Sequence, residues 1–313
     1  MESDILVAGE SLVDFIPDRP GPLDTVDQFH RRAGGAPANV AVRLGALGPA
    51  PLLWTRLGAG PFGRYLERIL AEQGIPDEFI VHDEQARTTL AFVSHDEDAD
   101  RGFTFYREGT ADTQFESGTV PDETLEAVEW VAFGGVCLTT EPARSAMLDL
   151  GRRAGRTNCE VFFDPNARPE LWDGGYREAL EAAAELATVI KSTPEDLTAA
   201  GIDGSPESLL DELSDLGPHT AVLTLGSDGA IARASADAPW GPAEASHDGF
   251  DVDVVDTTGA GDAFAAGLLR GFADGRSLAD SLAFANGGAA VATTSEGAMS
   301  APVSRAAIEA LLE

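Results

Sequence analysis

Lysine is almost missing from this chain. Lys191 is the single lysine among 21 basic residues, set against 53 aspartates and glutamates, for a net charge of −32. A surface of that sign repels nucleic acid and anionic lipid, so binders of phosphate backbones and membrane surfaces are excluded. The acids are spread along the chain and form no tail. Diffuse acidity with so little lysine fits a halophilic protein, dissolved in concentrated salt where screening acts within about 3 Å at 1 M. An ordinary acidic protein is the competing reading. Cysteine is scarce too. Cys137 and Cys159 are too few for a zinc site or a disulfide scaffold, and they read as two buried free thiols in a reducing cytoplasm. No long apolar run occurs. The longest stretch without charge, 281–295, has 15 residues, whereas a spanning helix needs about 20. The opening MESDILVAGE has no basic region followed by an apolar one, so no signal peptide is expected. No G-x-x-x-x-G-K-[ST] is present, which excludes a Walker-type phosphate loop.

What is present is a globular composition. Hydrophobic residues make up 43% of 313, which excludes general disorder. At about 150 residues per domain, the length allows two domains or one large α/β unit with an insertion. Strand-like segments at 4–9 and 51–57 alternate with helical ones at 37–47 and 62–73. Residues 88–94 and 102–107 are β-rich and flank an acidic turn at 95–101, which predicts a hairpin without an intervening helix. Beyond 120, strands at 129–134, 159–164, 187–190 and 220–225 alternate with helices at 142–153, 175–186, 194–199 and 206–214. A β-like stretch at 229–254 and helices at 260–273, 277–292 and 303–312 follow. Such alternation predicts a mostly parallel sheet covered on both faces. The expectation is one α/β domain over 1–313, with a small β insertion from 12–33 and 87–110.

Three glycine-rich stretches could cradle phosphate. Gly58-Ala59-Gly60-Pro61-Phe62-Gly63 matches G-x-G-x-x-G. Its strand is not the first, Pro61 stiffens it and no acidic strand end follows at the right distance, so a Rossmann site is disfavoured. The segment 256–262, Asp-Thr-Thr-Gly-Ala-Gly-Asp, precedes an apolar run of helical period. Gly259, Ala260 and Gly261 would open that helix, where free N–H groups favour an anion. Asp262 would then face a hydroxyl approaching the bound phosphate. An N-cap aspartate after a glycine turn is the plainer alternative. In the third stretch, Gly34 and Gly35 precede a helix whose first turn carries Asn39, an amide that needs partners.

Together, GGAPANVA at 34–41 and DTTGAGDAFAAG at 256–267 resemble the two signatures of the ribokinase-like (PfkB) carbohydrate kinase family, and GESLVDFIP at 9–17 extends the likeness to the start. The resemblance implies a ribokinase-like fold, a central mostly parallel sheet of about nine strands flanked by helices, with a small β-sheet lid over the sugar. It implies transfer of the γ-phosphate of ATP to a sugar hydroxymethyl, with magnesium. By the family pattern Asp262 is the base, and Gly259, Ala260 and Gly261 form the anion hole, which suits a reaction catalysed mainly by positioning and charge stabilisation. Asp14, Gly34, Gly35 and Asn39 match the sugar side. Arg107 in Phe105-Tyr106-Arg107 and Arg168 in the D-x-N-x-R-x-x-L-W pattern at 164–172 resemble substrate-binding segments of fructokinases and 2-keto-3-deoxygluconate kinases. Thr224, Gly226, Ser227 and Gly229 match the turn beside ATP, Asn286 the adenine pocket, and Lys191 is expected to meet phosphate. Where the family often shows N-x-x-E, linked to magnesium and phosphate, this chain has Thr193 and Asp196, so Asp196 is a candidate metal contact. Asp256 is a candidate neighbour of a potassium ion.

The lead expectation is a fructokinase, from GESLVDFIP and from the TAD at 110–112. A 2-keto-3-deoxygluconate kinase is the alternative, because two arginines can grip a carboxylate. A non-catalytic sugar or nucleotide sensor on the same fold is the reading from another class. A homodimer through the lid is expected from Phe92, Phe103 and Phe105.

Overall fold

A computed structural model describes residues 3–95, 101–299 and 301–313. The five residues within the expected acidic turn, 96–100, lie outside the described residues. In chain order the elements are β1 (Ile5–Ala8), β2 (Leu12–Pro17), β3 (Phe29–Gly34), α1 (Ala36–Leu47), β4 (Leu52–Gly58), α2 (Pro61–Glu72), β5 (Ile80–Asp83), β6 (Leu90–His95) and β7 (Arg101–Tyr106). Then follow α3 (Asp122–Ala127), β8 (Trp130–Gly134), α4 (Ala143–Ala154), β9 (Glu160–Asp164), α5 (Tyr176–Ala184), β10 (Val189–Ser192), α6 (Pro194–Ala199), α7 (Pro206–Asp215) and β11 (Thr220–Thr224). The chain closes with β12 (Ala230–Ala234), β13 (Ala243–His247), α8 (Ala260–Ala273), α9 (Leu278–Thr293) and α10 (Arg305–Leu312).

Nine strands form the main sheet in the order β13-β12-β11-β10-β9-β8-β1-β4-β5. Its pairs are parallel except β11–β12 and β12–β13, which are antiparallel. Strand alternation sends Ile5 and Val7 into one core and Leu6 and Ala8 into the other. Helices α1, α2, α8, α9 and α10 cover the first face, and α3, α4, α5, α6 and α7 the second. A four-stranded sheet, β3-β2-β6-β7, makes the separate lid. Its strands fall in two parts of the chain, 12–34 and 90–106. Two elements escaped the sequence reading, β5 and α3. Each is short, four and six residues, and carries too few apolar positions to show a period. Lys191 falls inside β10 rather than at its end.

Both cysteines are buried free thiols. Among the described residues no helix is long and apolar enough to cross a membrane. The lid's two faces differ from expectation. Phe103 and Phe105, stacked at 5.7 Å, line the cavity beneath the lid. The outer aromatic face is built instead from Phe15, Phe92 and Tyr106, the last 63% exposed.

Candidate active site

Parallel strands leave an open crevice outside their carboxyl ends, and the chemistry-bearing residues gather there. Beneath the lid lies a cavity of about 470 Å³. Asp14 from β2, Asn39 from α1, Arg168 from the loop after β9, and Gly259, Gly261 and Asp262 at the start of α8 all line it. Four widely separated stretches of sequence therefore meet in one place.

The fourteen-residue helix α8 starts after Gly259, whose φ of 76° is left-handed. A β-carbon there would also lie 2.7 Å from Ala298 Cβ, so this bend needs glycine on both counts. Of the first-turn amides of α8, Ala260 N donates to Thr257 O at 3.3 Å, while those just after it have no acceptor within the helix and lie at the end that favours an anion. Asp262 stands in that first turn. Its Oδ2 accepts a 2.7 Å hydrogen bond from Asn39 Nδ2. Burial pushes the Asp262 carboxyl above its ordinary range, while Asn39, Arg168, Lys191 and Arg43 act in the opposite direction. The side chain remains half-buried and open to the cavity.

On the sugar side, Gly34 makes room for Asp14. A β-carbon at Gly34 would sit 2.1 Å from Asp14 Oδ2. Burial raises Asp14 to about 7, against the pull of Arg168 and with the repulsion of Asp262. Asn39 Oδ1 is buried without a hydrogen-bond partner and suits a sugar hydroxyl. Arg168 is aimed by its own loop, donating to Asn166 Oδ1 at 2.6 Å and to Ala167 O at 2.8 Å, with its guanidinium 5.5 Å from the Phe103 ring centre. Gly35 also lines the cavity. Arg107 is placed differently. It is buried beside the cavity, bonded from Nε to Asp112 Oδ2 at 2.6 Å and from Nη1 to Thr139 Oγ1 at 2.5 Å. Its Nη2 has no partner.

Of the residues expected on the nucleotide side, Lys191 lies within β10, Thr224 ends β11, Gly226, Ser227 and Gly229 follow it, and Asn286 lies in α9. Lys191 Nζ pairs with Asp164 Oδ2 at 3.0 Å and lies 3.7 Å from where a β-carbon on Gly261 would stand. The lone lysine thus sits under the expected anion hole. Burial opposes its charge, but Asp164 and Asp196 outweigh that and raise its pKa. Thr224 Oγ1 donates to Ser192 O at 3.3 Å, tying β11 to β10. Gly226 and Ser227 form the turn that follows, and Gly229 ends it against the backbone of 247–249. Asn286 is buried in α9 and donates to Leu282 O at 2.8 Å.

Asp196 is occupied structurally. Its Oδ1 accepts from Ala167 N at 2.7 Å and its Oδ2 from Thr193 N at 2.9 Å, a capping box that also holds the Arg168 loop. Among the described residues no group of three or more His, Cys, Asp or Glu forms a metal cluster. Asp164 does leave Oδ1 buried and unpartnered. Asp256 accepts from Thr258 N and Oγ1 on one oxygen and from Gly297 N on the other, linking the α8 loop to the segment after α9.

Two residues near Asp262 were not singled out in the sequence. Glu10 lines the cavity, and Arg43 donates from Nη1 and Nη2 to the carbonyls of Ala301 and Ala298, against which Gly259 packs. The signal for Arg43 was its place four residues after Asn39, on the same helix face.

The pfkB family carbohydrate kinase pattern matches residues 2–305. The chain belongs to the PfkB family of carbohydrate kinases. It is a sugar kinase. A fructokinase of Klebsiella pneumoniae is 35% identical, with 96% of both chains covered. The structure of a fructokinase from Xylella fastidiosa with bound ATP superposes with a TM-score of 0.87 at 29% identity, covering 98% of this chain and 97% of that one. A fructokinase double mutant from Vibrio cholerae, with fructose, ADP and a potassium ion, gives 0.84 at 29% identity over 99% and 98% of the two chains.

Proposed function

We propose that this PfkB kinase transfers the γ-phosphate of ATP to a hydroxymethyl group of fructose. The observation that carries this reading is Asp262, held by Asn39 at the amino end of α8 and open to the cavity that Asp14 and Arg168 share. The fructokinase relatives point to the same sugar.

The chain's own groups divide the work. Asp14 and Asn39 Oδ1 accept hydrogen bonds from sugar hydroxyls and fix the ring. The acceptor hydroxymethyl then faces Asp262 Oδ1, the oxygen not bonded to Asn39. Its proton passes to that carboxylate as the new P–O bond forms and the β–γ bridging bond breaks. The amides of Gly259, Ala260 and Gly261, with Lys191 beneath them, oppose the charge on the transferred group. The Thr224–Gly229 turn and Asn286 make the nucleotide side. Asp164, whose Oδ1 is buried and unpartnered, is the residue that would hold magnesium, with Asp196 near it. The chemistry such an ion would supply is neutralisation of phosphate charge. Potassium is assigned to the Asp256 loop, and the protein's setting to a salt-rich cytoplasm.

The test is Asp262→Asn. Turnover should fall by about two to four orders of magnitude while ATP still binds. Full turnover would overturn Asp262 as the base; a sensor would show binding without turnover in the native protein. Rates on fructose and on 2-keto-3-deoxygluconate decide the sugar, and a faster rate on the acid would reverse the assignment.

A further inference from the structure

Arg43 is a buried guanidinium that the mechanism above does not use. It stands on α1, 2% exposed, one helical turn after Asn39. Among the described residues no carboxylate forms an ion pair with it. Its Nη1 and Nη2 donate instead to the carbonyls of Ala301 and Ala298, and its Nε is buried without a partner. Burial pulls its pKa down to about 10, and Asp262 acts in the opposite direction. Arg43 therefore keeps its charge across the neutral range. Burying a cation without an ion-pair partner costs stability, which carbonyl dipoles and the field of a nearby carboxylate must offset.

Two parts of the site meet through this side chain. Ala298 is the residue against which the Gly259 bend packs, since a β-carbon on Gly259 would lie 2.7 Å from Ala298 Cβ and 2.8 Å from its Cα. The stretch that carries Ala298 is tied to the α8 loop again, from Gly297 N to Asp256 Oδ2 at 3.0 Å. Arg43 fastens the same stretch to α1. The same helix carries Asn39, which donates to Asp262 Oδ2. One face of α1 thus holds the base directly and the bend before it at one remove. Asp262 also feels Arg168 from the loop after β9 and Lys191 from β10, which favour its charge with Arg43. Asp14 from β2 and Asp164 from β9 oppose that charge. Unlike Arg168, Arg43 does not line the cavity, so its replacement leaves the sugar wall intact.

We propose that Arg43 is a positioning residue for phosphoryl transfer, pinning the Gly259 bend through Ala298 and setting a fixed positive charge near Asp262. The inference rests on Asp262 as the base and goes beyond it. The charged carboxyl is the active form, and a nearby cation lowers its pKa. Loss of the guanidinium should therefore move the acid limb of kcat to higher pH.

The experiment measures kcat, both KM values and the pH–rate profile for the native chain, Arg43→Met, Arg43→Lys and Asp262→Asn, with melting curves as the check of folding. Arg43→Met should lower kcat at pH 7 about tenfold or more and raise the acid limb by about one pH unit, because a charge is removed from a poorly screened interior. The sugar KM should stay within about twofold of the native value. Arg43→Lys keeps a charge but lacks the planar fork that bridges two carbonyls. Its acid limb should stay near the native position, with a smaller loss of kcat. An arginine that merely supports the fold would lower the melting temperature and leave the acid limb in place in every folded variant, and that result overturns the proposal. If Arg43→Met does not fold, Arg43→Gln, which is neutral and can donate to one carbonyl, is judged by the same shift. Asp262→Asn keeps the two readings apart. Lost turnover there, with an unmoved acid limb in folded Arg43→Met, ends the role of Arg43 alone. Full turnover in Asp262→Asn ends the base on which that role depends.

Discussion

Asn39 and Asp262, 223 residues apart in sequence, are joined by a 2.7 Å hydrogen bond from the amide of one to the carboxylate of the other. The bond fixes one carboxylate oxygen and leaves the second to the proposed acceptor alcohol. It also stabilises the charged form of a carboxyl that burial pushes upward.

Asn39→Ala should therefore raise the Asp262 pKa further. The base is active when deprotonated, so the acid limb of the kcat profile should move to higher pH. At pH 7 kcat should fall about ten- to hundredfold, and the sugar KM should rise with loss of Oδ1 as an acceptor. A pH–rate profile checks both. An acid limb left in place would mean that Asn39 does not set the charge of the base.

Gly34→Ala should damage sugar binding selectively. The new β-carbon would meet Asp14 Oδ2 at 2.1 Å, and the carboxyl must turn away. The sugar KM should rise about tenfold or more, which at 1.4 kcal/mol per decade is the loss of one good hydrogen bond to a charged group. ATP affinity, read by calorimetry without sugar, should be unchanged. Equal losses for both ligands would point to a disturbed lid instead.

Much of this site is legible in the sequence, and the reasons are local. The bend at Gly259 announces itself because only small residues permit it, and the helix after it carries its period in AFAAGLLRGF. Alternation of strands and helices from 120 onward dictates the parallel sheet. What the sequence hides is pairing at a distance. Nothing in Phe105-Tyr106-Arg107 says that Asp112 will hold the guanidinium, or that Glu10 will stand on the cavity wall in its stead. Asp196 likewise reads as a free acid, yet its carboxyl is spent on backbone amides of its own cap and of the 167 loop. The lid aromatics show the same gap, because period 2 separates faces without saying which face looks inward.

Lys191 and Asp164 form a buried pair 3.0 Å apart beside Gly261. Lys191→Met should strand a buried carboxyl and lower stability by about 3–5 kcal/mol. It should also depress kcat and raise the ATP KM, through loss of the charge beside Gly261. Adding Asp164→Asn to that variant should restore much of the melting temperature but not the turnover. Recovery of both would make the lysine purely structural; recovery of neither would place its partner elsewhere.

Salt should stabilise the protein as a whole. The net charge of −32 is carried on the surface, where like charges repel and screening relieves them. Salt also weakens exposed attractive pairs such as Arg153–Asp122, whose aspartate is 70% exposed. Such pairs contribute little, about 0–1 kcal/mol, and 21 bases cannot pair 53 acids, so relief of repulsion wins. The buried Lys191–Asp164 and Arg107–Asp112 pairs, 13% exposed or less, are nearly untouched by salt. The melting temperature should climb steadily from about 0.1 M to 2 M chloride and do so alike with sodium and potassium, since screening does not distinguish them. Scanning calorimetry across that range checks it. A falling melting temperature would show that attraction, not repulsion, governs this acidic surface.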